Sequence, residues 1–202
     1  MWCTSSRLHS SFDQPLLVVD QVDIKPSLSV RDLGVQLCAN LSVADHVSAV
    51  IRSGYYNIRQ LRQLRSSMTC EALHHAAYAL VLSRVDYRNS LFANAPATST
   101  KRLQSLINMA ARVVSGPSRF DHIMDFTRDY LHWLPFWQQV DFKICSMVYK
   151  AQHDLSPIYI MEMMKPTSMI SRRQDLRSAS RSELIITKDG TKLLNMPSSS
   201  RA

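Results

Sequence analysis

Glycine is scarce in this chain, with 4 residues in 202. So few cannot serve the many tight turns of a β-sandwich, and the abundant Leu, Ala, Met, Gln and Arg favour helix. A mainly α fold is expected. A Gly-rich phosphate loop is missing, and none of the many serines sits in G-x-S-x-G. Cysteine is equally sparse: Cys3, Cys38, Cys70 and Cys145 form no C-x-x-C pair and meet no histidine at zinc-finger spacing. Neither structural zinc nor a disulfide framework is expected, and free thiols in a reducing compartment are the default. Long apolar runs are absent too. Leu16–Val19 falls far short of the roughly 20 residues that cross a bilayer, and no basic stretch precedes an apolar run of signal-peptide length. An intracellular protein, nuclear or cytoplasmic, with no membrane partner is the expectation. Acidic residues are the minority: 16 Asp and Glu face 24 Lys and Arg, giving a net charge of +8. Such a field attracts polyanions, nucleic acid or an anionic membrane surface, in a salt-dependent way.

What is present divides the chain into three. Residues 1–40 carry short apolar runs, Leu16–Val19, Val22–Ile24 and Val30–Leu37, separated by Asp20-Gln21 and by Pro26 with its serines. These read as short strands of a small β-hairpin element, which must pack on something to persist. Gly34 inside the last run suggests a bulge or a close backbone approach.

Residues 41–164 show helical spacing. Val43, Val47, Val50, Ile51, Tyr55, Ile58, Leu61 and Leu64 recur at three and four, with Ser42 or Asn40 as N-cap and Asp45 in the first turn. A second helix starts near Thr69 and buries Leu73, Ala76, Ala77, Leu80 and Val81. A third runs from Ser99 through Leu103, Leu106, Ile107, Ala110 and Val114 to a stop at Gly116-Pro117, with Ala110 and Ala111 permitting close helix approach. A fourth begins at Pro135 and buries Val140, Ile144, Met147 and Val148. Asp154–Pro157 breaks it before a short helical piece around Tyr159–Met163. Residues 165–202 form a basic Ser/Arg-rich tail poorly able to bury itself.

Several constellations bear on chemistry. Arg59, Arg62 and Arg65 close the first helix, with Arg52 two turns earlier on the same flank, and Lys101, Arg102 and Arg112 add charge from the third helix. Guanidinium groups so spaced can bind successive phosphates, or form a solvated face that complements the helix C-terminus. Asp121, Asp125 and Asp129, near His122 and His132, fall four apart. That row could hold a divalent cation, but pairing with Arg119 and Arg128 is the simpler reading. Adjacent His74 and His75 point about 100° apart and are poorly placed to chelate one ion. Cys145 is placed on the apolar side of its helix, as a buried thiol rather than a nucleophile. Trp2, Trp133, Trp137, Tyr55, Tyr56, Tyr78 and Tyr87 could stack on bases, although aromatics at helical spacing usually belong to a core.

The order of several segments resembles one family. Met1–Ser6, Ser29–Val35, Leu41-Ser42 with His46-Val47, Asp86-Tyr87 with Asn89–Leu91, Arg102–Ser105 with Asn108 and Ala110–Arg112, Asp121–Ile123 and Leu131–Pro135 follow one another as in reverse transcriptases of LINE-type non-LTR retrotransposons, downstream of the catalytic palm. The resemblance extends from Met1 to about Met164.

It implies a primer-grip-like element at Leu33, Gly34 and Val35, a helical thumb-like bundle beyond Leu41, and RNA, DNA or an RNA–DNA hybrid as sequence-tolerant partner. In that family a palm supplies the aspartates that hold Mg2+ for polymerisation. No tight aspartate pair appears here at the family's position, so no cofactor and no polymerase activity are expected of the chain by itself. Arg88, Gln139 and Asp154 stand where a Cys, a basic residue and a Gly are usual. Tyr130 is an apparent insertion, Asp125 occupies a usual proline position, and the pattern fades after Ser182, as in a truncated or degenerate element copy. The alternative is a non-catalytic helical interaction module, whose apolar faces, made for a missing palm, associate with each other or with a partner.

Overall fold

A computed structural model describes residues 17–19, 21–116, 122–164 and Leu184. Sequence readings that fall on Met1–Ser6, Asp121, Arg119 and the tail beyond 164 lie outside the described residues, apart from Leu184. The chain divides into two compact units, residues 1–144 and 145–202. The sequence instead set boundaries at 40 and 164; the structure groups the hairpins with the first helices and divides within a helix. The described part is mostly helical with a small N-terminal β element.

The first unit opens with two antiparallel ribbons. β1 (Leu17–Val19) pairs with β2 (Val22–Ile24), and β3 (Ser29–Asp32) with β4 (Val35–Cys38). Asp32 faces Val35 across the second ribbon, so Leu33-Gly34 is a two-residue loop. Their φ angles of 46° and 86° are those of a type I′ turn, whose twist matches the flanking strands. Gly34 is therefore turn chemistry, where the sequence suggested a bulge or close backbone approach. The group beside it is a side chain, Tyr87, at van der Waals distance. Val35 and Ala39 are buried, which seats the second ribbon on the helices.

α1 (Ala44–Leu64) starts where Asn40 and Ser42 predict, but neither is its N-cap. Asn40 Oδ1 accepts from Ser42 N–H and Ser42 Oγ from Ala44 N–H, two successive side-chain turns that lead the chain into the helix. Its inner side is His46, Val47, Ile51, Gly54, Ile58 and Leu61. Tyr55 and Leu64, expected inside, are exposed. The correction has a packing cause: Gly54 takes the inward place, and a Cβ there would stand 2.6 Å from Leu106 Cδ2.

α2 (Cys70–Ala77) is capped by Thr69, whose Oγ1 accepts from Ala72 N–H at 3.2 Å. It continues without a break through a π-helical turn, Tyr78–Leu82, into α3 (Ser83–Asp86). The wider turn shifts the buried side by one residue, so Val81 and Leu82 point inward and Leu80, expected inside, is exposed.

α4 (Ala97–Ser115) is the central helix. Leu103, Leu106, Ile107, Ala110 and Ala111 are fully buried, and Gly116 ends it with a φ of 75°, as expected from Gly116-Pro117. α1 and α4 run in the same direction, since Gly54 faces Leu106 and the Arg65 guanidinium lies over Gly116. A second π-helical turn, Phe126–Tyr130, leads through buried Leu131 and Trp133 to α5 (Phe136–Gln152), which begins one residue later than expected. Phe136 N–H donates to Gln104 Oε1 at 2.7 Å, which fixes the start of α5 on α4.

In the second unit, α5 ends at a turn in which Asp154 has a φ of 56°, and Leu155 N–H donates to Lys150 O at 2.8 Å. α6 (Ile158–Met163) follows Pro157. Met147 and Cys145, expected on the buried side, are exposed. The inward positions of α5 in the first unit are Phe136, Val140 and Ile144, and Cys145 lies about 100° round from Ile144.

Candidate nucleic-acid interface

The outer face of α1 gathers the arginines. Arg52 is two residues from inward-facing Gly54, hence on the opposite side of the helix, and Arg59 lies two turns further along that same side. Tyr55 and Tyr56, 40% and 61% exposed, sit between them, and Arg62 is exposed on the flank near the helix end. The aromatic residues thus depart from the core role expected for them: Tyr78, Tyr87 and Trp137 are exposed as well, while Trp133 alone of those described is buried. Among the described residues the ion pairs engage His75, Arg128 and Lys143, and none takes Arg52, Arg59 or Arg62. Among the described residues, then, no carboxylate competes with an outside anion for these cations.

The other predicted phosphate ligands fall elsewhere. Arg65 is exposed, but its guanidinium rests on Gly116, at the carbonyl end of α4, where a cation complements the helix dipole. Arg112 is half-buried, and its Nε is enclosed without a hydrogen-bond partner. Arg102 precedes Leu106 by one turn, on the side of α4 that meets α1. Lys101 is about 140° round from Leu106 and faces away from α1. The seven basic residues expected to share one task are therefore distributed over at least two directions. The primer-grip-like trio also separates: Leu33 and Gly34 are exposed at the ribbon tip, and Val35 is buried.

Between that ribbon and the helices lies a cleft of about 530 Å³. Arg31 and Arg84 line it with Ser53, Ser83, Tyr87 and His46. Arg84 Nη1 donates to Ser53 Oγ at 2.6 Å, and Tyr87 closes the rim by donating its hydroxyl hydrogen to Leu33 O at 2.9 Å. The buried His46 ring stacks on Phe92 at 5.8 Å and accepts from Gln36 N–H through Nδ1 at 3.4 Å. Burial, reinforced by the Arg31 charge, holds His46 below the ordinary histidine range and so neutral. Sequence reasoning missed this group because Arg31 and Arg84 belong to distant segments. The one available signal was Leu33-Gly34 between two apolar stretches, which marks a hairpin tip.

Of the aspartate row, the two described members, Asp125 and Asp129, pair with Arg128. Arg128 Nε donates to Asp129 Oδ1 at 2.7 Å and its Nη2 lies 3.7 Å from Asp125 Oδ1, so both carboxylates serve one guanidinium. Hydrogen bonding to Arg128 pulls the Asp129 carboxyl below its usual range. Among the described residues no cluster of three His, Cys, Asp or Glu side chains could hold a metal ion. His74 accepts from Trp133 Nε1–H at 3.1 Å, and burial, with His75 and His132 nearby, keeps it below the usual histidine value. Among the described residues no helix is long and apolar enough to cross a membrane.

No protein-family profile, curated protein or solved structure matches the chain.

Proposed function

We propose that this chain is a non-catalytic, nucleic-acid-gripping piece of a protein similar to non-LTR retrotransposon reverse transcriptases, and that the outer face of α1 is its grip. The observation that carries the reading is the exposed Arg52–Tyr56–Arg59 stripe, whose cations have no ion-pair partner among the described residues. Arginines one and two turns apart reach successive phosphates, and a tyrosine between them offers a stacking face indifferent to base identity. Phosphate contacts orient a strand without reading its sequence, so an RNA–DNA hybrid, RNA or DNA should be held with little base preference. The test is retention of the full chain on an immobilised RNA–DNA hybrid at stepwise salt. Binding that weakens steeply with salt is expected; absence of salt-sensitive retention defeats the proposal.

A second reading is favoured by α5, where Trp137 and Phe142 stand 59% and 66% exposed. Large apolar side chains left on a helix surface suit protein association. Concentration-dependent self-association without affinity for nucleic acid would select that reading.

A further inference from the structure

The cleft beneath the β3–β4 tip is chemically unlike the α1 face. Its charged lining is wholly cationic: Arg31 and Arg84 contribute, and no carboxylate does. The acidic residues nearest to the lining in sequence, Asp32, Asp45 and Asp86, are not part of it; Asp45 accepts from Cys38 Sγ at 3.1 Å, and Asp86 accepts from Asn89 Nδ2 at 2.8 Å and lies 3.5 Å from Lys143 Nζ. Neither lining arginine has an ion-pair partner among the described residues. Two arginines that line one concavity with no carboxylate in the lining give it a positive potential, which an anion bound there would offset.

Donors surround the same space. Arg84 spends one N–H on Ser53, which fixes the side chain against the wall and leaves its other N–H groups for a ligand. Ser83 Oγ donates its hydrogen to Ala79 O, so the hydroxyl donor of the lining is Ser53, whose Oγ accepts from Arg84 and keeps its own hydrogen; the neutral His46, whose Nδ1 is already an acceptor, carries its proton on Nε2. The charged members of the lining are both guanidinium donors, so the set suits an oxyanion rather than a cationic ligand. A cleft of about 530 Å³ has the size of a small-molecule site, large enough for a phosphate with the sugar or base attached to it.

We propose that this cleft binds a phosphate group carried by a nucleotide or by the end of a nucleic-acid strand, with Arg31 and Arg84 as its paired cationic ligands. It stands independently of the α1 grip, because it rests on different residues and a different geometry.

Calorimetric titration of the full chain with adenosine monophosphate, with adenosine, and with short oligothymidines bearing or lacking a 5′-phosphate tests it. The phosphorylated ligands are expected to bind and adenosine is not. Arg31→Gln and Arg84→Gln should each weaken monophosphate binding about tenfold, with Arg84→Lys retaining part of it. Arg52→Gln and Arg59→Gln should leave monophosphate binding unchanged while weakening hybrid retention. If the phosphorylated oligothymidine displaces the mononucleotide and binds more tightly, a strand end is the source; if it binds more weakly, a free nucleotide is. Should Arg84→Gln lower thermal stability, Arg31→Gln decides, since Arg31 makes no side-chain hydrogen bond among the described residues. Equal affinity for monophosphate and adenosine overturns the proposal, as does an equal loss in the α1 variants.

Discussion

Tyr87 donates its hydroxyl hydrogen to the carbonyl oxygen of Leu33, 2.9 Å away and 54 residues earlier in the chain. This bond joins the end of α3 to the exposed tip of a two-stranded ribbon. Leu33 holds a left-handed conformation that glycine would adopt more readily, and an acceptor role for its carbonyl helps to keep it there. Tyr87→Phe removes the donor and preserves the ring. A loss of about 0.5–1 kcal/mol in urea denaturation is expected, together with faster amide exchange in Val35–Cys38. Unchanged exchange in that strand would show that the bond does not restrain the ribbon.

Gly54→Ala is expected to destabilise, although alanine ordinarily strengthens a helix interior by about 1 kcal/mol. The added methyl would lie 2.6 Å from Leu106 Cδ2, in a place where Leu106 is fully buried and has little room to turn. Overpacking of this kind costs about 1–3 kcal/mol, so the net change should be a loss of about 1 kcal/mol. Thermal denaturation of Gly54→Ala beside Gly54→Ala/Leu106→Ala checks the cause: the penalty for alanine at 54 should disappear when Leu106 is already shortened.

His46 and His74 both titrate below the ordinary histidine value in the folded chain. The unfolded chain therefore binds more protons than the folded one as pH drops below about 6.5. Stability should be level above that value, fall as pH passes below it, and stop responding to these two groups once both are protonated in the folded state. Melting temperature followed across this window should depend less on pH in His46→Gln/His74→Gln than in the unaltered chain. An identical slope would assign the acid sensitivity to other groups.

Binding to nucleic acid should respond unequally to charge removal. Arg52→Gln and Arg59→Gln are each expected to reduce the slope of log affinity against log salt by about 1. Lys101→Gln, on the side of α4 turned from α1, should leave it unaltered. Equal effects at all three positions would mean a diffuse attraction by net charge rather than a grip on α1.

The helices were legible because their signals are local. Thr69, Gly116 and the three-and-four spacing of Val47, Ile51, Ile58 and Leu61 act through the backbone of their own segment. Inward positions were legible only in part. Gly54 and His46 break the apolar pattern, and their places inside are set by Leu106 and Phe92 from other helices. The π-helical turn at Tyr78–Leu82 slides one side of the helix past the other, and no residue type there announces it. The arginines of α1 could be assigned to one flank by spacing. The sequence could not show that Arg65 lies over Gly116, that Lys101 faces away, or that Arg31 and Arg84 line one cleft, because each depends on contacts between distant segments.

Position 116 refuses side chains on two independent counts. Its φ of 75° disfavours nearly every residue except glycine, and the point a Cβ would occupy is 1.7 Å from Arg65 Nη2. Asparagine, which tolerates the backbone angle, would still have to displace a cation from the end of α4. The parallel pair α1 and α4 is thus keyed at its far end by a hydrogen atom, and lengthening either helix by a turn would lose the key.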